Sequence, residues 1–200
     1  SFFKKELDVE PSEWFEAENL TALVHDASEP LPSIFEECDV LYAEPPWESG
    51  FKEFYKRAKV VPDKIFKGLL LQFGDTIIES VKKVRPVYLL ASDKAQPHLP
   101  PVDYKVSVEL FGSKSSRLYV WGGEKPENSV KTNLDVIQWL SKKYLKVGDM
   151  YCGYGRTGLM FIREGKSAVL SDINPKCIGM IKQTYPKWLS EDWNPYLVEQ

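Results

Sequence analysis

The sequence predicts an α/β fold with a mostly parallel central sheet and an antiparallel hairpin at its edge. Three observations carry this. Short apolar runs at 20–24, 39–43, 87–91 and 167–170 alternate with stretches of helical spacing, the order expected of parallel strands joined by helices. Segments 104–110 and 117–121 alternate apolar and polar residues and flank Gly112-Ser113-Lys114-Ser115-Ser116, a turn composition. Glycine and proline punctuate the joints between elements.

Residues 1–24 mix polar and aromatic positions, and only 20–24 reads as a strand. Residues 33–37 read as a short helix or turn, and 39–43 as a buried strand. Residues 50–59 place Phe51, Phe54 and Tyr55 at helical spacing. Residues 67–73 suit an apolar strand or the end of a helix. Residues 75–83 form an amphipathic helix with Ile77, Ile78 and Val81 on one side. A strand follows at 87–91, then a proline-rich loop at 92–101, the hairpin, and a second loop at 122–128. Leu134, Ile137, Leu140 and Tyr144 mark a helix over 134–144, which Gly148 closes off. A short strand is expected at 149–152, a helix at 157–164 ended by Gly165, a strand at 167–170 and a helix at 175–184. The tail from Tyr185, rich in Trp, Pro and Tyr, is expected to pack over the surface, where Trp188, Trp193 and Tyr196 suit either core packing or a dimer interface.

Two hundred residues with a 43% hydrophobic share suit one domain over 1–200. A formal net charge of −3 argues against strong nonspecific binding to nucleic acid, which needs many phosphate-neutralising cations. Local basic runs remain at Lys56, Arg57 and Lys59, at Lys64 and Lys67, and at Lys82, Lys83 and Arg85. A solvated face is their ordinary reading. Cys38, Cys152 and Cys177 are too few and too widely spaced for a zinc pattern or a disulfide framework. A reducing, cytoplasmic setting fits them. No apolar stretch approaches the roughly 20 residues that span a bilayer, and the N-terminus lacks a signal-peptide profile. No membrane association is expected.

The most specific feature is Glu44-Pro45-Pro46-Trp47 at the end of the 39–43 strand. Two prolines deny the helical conformation to the residue before each of them. The chain therefore leaves the strand as a stiff arm that carries a carboxylate and a flat aromatic face. Ligands of open α/β sheets bind at the carboxyl ends of strands. A planar heterocycle stacked on Trp47, with its amino group near Glu44, suits this arrangement.

The second constellation is the glycine-rich run 148–158, a strand-to-helix turn containing Asp149, Tyr151, Gly153, Gly155 and Thr157. Glycines let backbone turn tightly and approach a ligand. The next strand ends at Asp172, an acid placed to accept ribose hydroxyls. The full Gly-x-Gly-x-x-Gly spacing is absent. That favours a nucleoside without a diphosphate, such as S-adenosylmethionine. Asp172 also suits a cap for the helix from Pro175, and Asp26 a cap for the helix after it.

With these motifs the chain resembles the S-adenosylmethionine-dependent amino-group methyltransferases that act on adenine or cytosine in nucleic acid. Their catalytic motif is Asp, Asn or Ser followed by Pro-Pro-aromatic, which Glu44-Pro45-Pro46-Trp47 is similar to with Glu as the acid. Their cofactor motif resembles the run 149–157 at Asp149, Tyr151, Cys152, Gly153, Gly155 and Thr157, with one inserted position. The stretch from Val24 to Ala27 looks like the family's acidic cofactor contact at Asp26, and Lys131-Thr132-Asn133 resembles the helix start before the cofactor strand. The catalytic motif precedes the cofactor motif, as in the circularly permuted, beta-type arrangement.

The resemblance implies a Rossmann-like methyltransferase fold and S-adenosyl-L-methionine as cofactor. It implies DNA, or RNA, as substrate, with adenine the expected base. Glu44 and the carbonyl of Pro45 would accept from the target amino group, with Pro46 stiffening the arm and Trp47 stacking on the base. Asp26, Lys131, Asn133, Asp149, Tyr151, Gly153, Gly155, Thr157 and Asp172 would line the cofactor. Residues 92–128, the hairpin and its loops, are the candidate for substrate contact. With so small a hairpin, either specificity is short, or a homodimer or partner subunit helps, or the substrate is single-stranded. A catalytically inactive partner subunit, and a protein or small-molecule methyltransferase of the same fold, are the competing readings.

Overall fold

A computed structural model of the chain describes residues 9–45, 62–110, 114 and 116–190, with backbone alone at 62–70 and 72. The strands are β1 (Trp14–Ala17), β2 (Leu20–Val24), β3 (Val40–Ala43), β4 (Val87–Ser92), β5 (Tyr104–Ser107), β6 (Ser116–Trp121), β7 (Lys146–Asp149) and β8 (Ser167–Asp172). The α-helices are α1 (Pro62–Lys82), α2 (Asn133–Lys143), α3 (Arg156–Arg163) and α4 (Pro175–Thr184). The strands form one sheet in the order β1-β2-β8-β7-β3-β4-β6-β5. The pairings β2–β8, β8–β7, β7–β3 and β3–β4 are parallel. β6 pairs antiparallel with β4 and with β5, which puts the expected hairpin at one edge.

β3 is buried at all four positions, as a central strand covered on both faces must be. Its side chains alternate between two cores. Val40 and Tyr42 join Leu140 of α2, Leu159 and Phe161 of α3 and Ile178 of α4 on one face. Leu41 and Ala43 join Phe35, and Phe73 and Ile77 of α1, on the other. The layers are therefore helix, sheet and helix, with β3 and β7 in the middle.

Several elements differ from the sequence expectation. β1, missed in the sequence, pairs antiparallel with β2 at the other edge. Its alternation is of exposed with half-buried residues, too shallow a contrast to read as a period. α1 runs through both the 67–73 and 75–83 segments, because an apolar run without a period of its own is as compatible with a helix as with a strand. The 92–101 loop contains a 3-10 turn, Asp93–His98. The 50–59 helix lies outside the described residues. β7 begins and ends earlier than expected, since the Asp39 carboxylate takes the Leu145 and Lys146 N–H groups and starts the strand there (2.9 and 2.8 Å). Gly148 lies inside it. A Cβ there would stand 2.7 Å from Leu41 and 2.8 Å from Phe35, so this glycine serves close packing.

Trp188 in the tail is a core residue, 2% exposed, with its indole N–H on Thr184 Oγ1 at 3.0 Å. Trp193 and Tyr196 lie outside the described residues. Arg85 leaves the candidate basic patch. It is buried, donates to the Phe35 carbonyl and to Ser80 Oγ (2.5 and 3.3 Å), and ties the end of α1 to the 3-10 turn Ser33–Glu37. Among the described residues no helix is long and apolar enough to cross a membrane.

Candidate functional site

β3 and β7 run side by side with Tyr42 paired to Asp149. From β7 the chain passes through α3 to β8 on one side, and from β3 through α1 to β4 on the other. The two carboxyl ends therefore open on one edge of the sheet where the strand order reverses, the usual place for a crevice in this architecture.

Glu44 follows β3 and is half-buried, and Pro45 is buried. Successive strand residues alternate faces, so Glu44 shares the face of Tyr42. The Tyr42 hydroxyl donates to Glu44 Oε1. The Asn133 side chain is also hydrogen-bonded to Glu44. Burial raises the Glu44 carboxyl above the ordinary range, while Tyr42, the Arg156 guanidinium and Asn133 pull it back. Burial likewise raises the Tyr42 phenol, reinforced by the charge of Glu44. Pro46 and Trp47 lie outside the described residues.

Asp149 ends β7 and is 3% exposed. Its Oδ1 accepts the Tyr151 N–H at 3.0 Å, and Thr157 hydrogen-bonds its carboxylate. Burial pushes it up to about 7, against those two hydrogen bonds, with Glu44 and Asp172 adding repulsion. Three acids from three strand ends thus share one low-dielectric corner. An unpaired buried charge is costly there.

Asp172 ends β8 and clips the glycine-rich turn. Its Oδ2 accepts the Gly153 N–H and its Oδ1 the Asn174 N–H, each at 3.0 Å. The Cys152 N–H reaches the Ser171 carbonyl at 2.9 Å. Burial raises the Asp172 carboxyl, opposed by these amides and by the Cys177 thiol. Gly155 caps α3 at φ 91°, and a Cβ there would lie 3.0 Å from Ile181 and from the Trp188 ring. Core packing accounts for that glycine.

Asn133 is buried at the first residue of α2. The helix starts there because Thr132 and Asp135 make a reciprocal capping box, Thr132 Oγ1 taking the Asp135 N–H at 3.2 Å and Asp135 Oδ2 the Thr132 N–H at 3.0 Å. A backbone link from Glu109 N–H to the Lys131 carbonyl (2.8 Å) seats this start beside the chain leaving β5. Lys131 itself is exposed. Asp26 follows β2 and turns back on Ser28, accepting its N–H at 2.9 Å and its hydroxyl at 2.7 Å. Its neighbour His25 donates its N–H to the Asp172 carbonyl at 3.0 Å.

The fold therefore brings Glu44, Asn133, Asp149 and Thr157 together and joins Gly153 to Asp172. Asp26 and Lys131 are occupied with local turns or solvent. Two participants went unread in the sequence. Tyr42 is two residues before Glu44 on a strand, a spacing that forces a shared face. Arg156 opens α3, a position where the helix macrodipole disfavours a cation. That local conflict is the signal that could have marked it.

No family model matches the chain, and no curated protein does. Solved structures match it in fold at low identity. TTHA0409 from Thermus thermophilus superposes with a TM-score of 0.51 at 11% identity, covering 88% of this chain and 97% of that one. PvuII DNA methyltransferase, cytosine-N4-specific, gives 0.52 at 10% identity, with 90% of each chain covered. The complex of M1.HpyAVI with SAM gives 0.50 at 11% identity, covering 86% of this chain and 99% of that one. The chain has the Rossmann-like methyltransferase fold, a mostly parallel sheet with an antiparallel hairpin at its edge.

Proposed function

We propose that the chain is an S-adenosyl-L-methionine-dependent methyltransferase acting on an exocyclic amino group in DNA, adenine being the expected base. One observation carries this reading. The Glu44 carboxylate and the Asp149 turn, from distant parts of the chain, lie within electrostatic reach of one another at the strand reversal. The structures of similar fold include a DNA methyltransferase and a complex with S-adenosylmethionine, which supports the substrate and the cofactor.

The residues present suit such a cofactor. Asp149 is a buried acid that, among the described residues, accepts from the Tyr151 N–H and from Thr157, and a cationic amino group would complete it. Bound S-adenosylmethionine supplies a methyl group on a positively charged sulfur. Asp149 would hold the amino acid portion, Gly153 would admit it close to the backbone, and Asp172 would accept from the ribose. Tyr151 and Thr157, both hydrogen-bonded to Asp149, would complete the cofactor wall; Asp26 and Lys131 would join it only by leaving their present turn and solvent, and Gly155 would serve it through packing.

An exocyclic amine is a weak nucleophile because its lone pair is delocalised into the ring. Glu44 and the Pro45 carbonyl, accepting its N–H bonds, would favour a pyramidal and more reactive nitrogen. Trp47, after the stiff Pro45-Pro46 arm, would stack on a base turned out of the duplex. Positioning and fixed electrostatics would supply most of the rate gain. The β5–β6 hairpin, with Tyr104 exposed, would contact the nucleic acid. The domain is read as one unit over 1–200, in the permuted beta-type motif order.

A second reading rests on the partners of Glu44. An acid held by Tyr42, Asn133 and Arg156 would suit a subunit that binds cofactor or nucleic acid without chemistry. Calorimetric titration with S-adenosylmethionine, followed by transfer of labelled methyl to DNA digested to nucleosides, separates the two. Label on the amino group of adenine sustains the proposal. Cofactor binding without transfer, alone and with added partner fractions, favours the inactive subunit.

A further inference from the structure

We propose that Tyr42 is a positioning residue for Glu44, its hydroxyl fixing one carboxylate oxygen so that the other faces the target amine. This rests on the methyltransferase reading of the site. Tyr42 is 1% exposed and sits in a central strand with its ring in the core. It is therefore a rigid donor. A buried phenol needs a hydrogen-bond partner, and Glu44 Oε1 is the partner it has.

Glutamate needs such a donor. It has one methylene more than aspartate, one more rotor, and more conformational freedom to lose on ordering. Catalytic groups must be held closely to the productive geometry, by residues that are themselves locked. Tyr42 supplies the lock from within the sheet. Asn133, buried at the start of α2, supplies a second donor from another element.

Counting acceptor sites decides whether the lock also silences the acid. A carboxylate offers about four lone-pair positions. Tyr42 and Asn133 fill one each, leaving capacity for a substrate N–H. Among the described residues, the titratable and charged groups facing Glu44 are Tyr42 on β3, Asp149 at the end of β7 and Arg156 at the start of α3. Removing the phenol donor takes away one of the groups that oppose burial and Asp149, leaving Arg156 and Asn133, so Glu44 should titrate at higher pH.

The test compares the wild type with Tyr42→Phe and with 3-fluorotyrosine at position 42. It follows the Glu44 carboxyl by carbon-13 NMR and methyl transfer across pH. In Tyr42→Phe we expect the Glu44 midpoint and the acidic limb of kcat to move to higher pH. We also expect kcat to fall about ten- to a hundredfold at unchanged KM for the cofactor. The fluorinated residue, a stronger donor of nearly the same shape, should move the midpoint down, and it keeps the test open if Tyr42→Phe fails to fold. A midpoint that moves with neither replacement overturns the proposal, as does wild-type turnover in Tyr42→Phe. If the wild type transfers no methyl, the functional reading falls. The titration then decides the anchor alone, a shift sustaining it and no shift overturning it.

Discussion

Tyr42 on β3 and Asp149 on β7 are register partners across the parallel seam at the middle of the sheet. That pairing puts the Glu44 arm and the glycine-rich turn on one edge. The acid proposed to accept from the substrate thus comes beside the acid proposed to hold the cofactor.

Glu44→Ala should lower methyl transfer by at least about a hundredfold, since a group placed to act on the reacting proton typically contributes that much or more. Cofactor affinity should change little. Single-turnover transfer and calorimetry on the same preparation check both halves. Trp47→Ala should show the same split, through loss of the stacking face.

Asp149 links stability and cofactor binding to pH. Its folded value, about 7, lies above the ordinary 3.8. The folded state therefore binds the proton more tightly than the unfolded one. The stability this gives is complete below the unfolded value and is lost as pH rises from there through about 7. Asp149→Asn should accordingly be more stable than the wild type at about pH 8, by about 1 kcal/mol or more, and lose that advantage in acid. A cationic cofactor group favours the ionised acid, so wild-type affinity should rise as pH increases through the same window, and the variant should bind weakly. Thermal unfolding and calorimetry at several pH values measure these effects.

Gly155→Ala should cost more than Gly153→Ala. Both glycines have positive φ, 91° and 52°, which a side chain tolerates poorly. At 153 the added Cβ meets nothing within 4 Å, whereas at 155 it presses on Ile181 and Trp188. We expect about 1 kcal/mol at 153 and about 2–4 kcal/mol at 155, read from urea midpoints.

Val84 offers a stabilising change. It follows α1 in the left-handed region at φ 58° and is 90% exposed. A β-branched residue there is strained, and glycine is the usual occupant of such a helix end. Val84→Gly should raise stability by about 1 kcal/mol, seen as a higher urea midpoint with unchanged slope.

β3, β8 and the last helix were legible because their residues are buried on both faces or punctuated by proline and glycine, whereas β7 was placed three residues late because the Asp39 carboxylate that starts it is distant in sequence. Strand 20–24 and helix 175–184 fall where the sequence puts them. β1 was not legible, since an edge strand needs little burial. For Trp188 the sequence left core packing and an interface open, and the fold decides for the core through Thr184 and Gly155, contacts that only the folded chain creates. At the candidate site, Glu44 and Asp172 stood out as acids at strand ends, and Asp149 as the acid of the glycine-rich run. Tyr42 and Arg156 went unread, since neither residue type is by itself distinctive in a buried strand or at a helix start. Their meaning depends on which strand lies next to which, and that adjacency is set by the fold as a whole.

A crystal structure with S-adenosylhomocysteine bound tests the shared crevice most directly. We expect the sulfur to lie between the Asp149 turn and Glu44, the ribose against Asp172, and the indole of Trp47 facing the space beyond the sulfur. A nucleoside bound elsewhere, or an indole turned away from that space, would contradict the site described above.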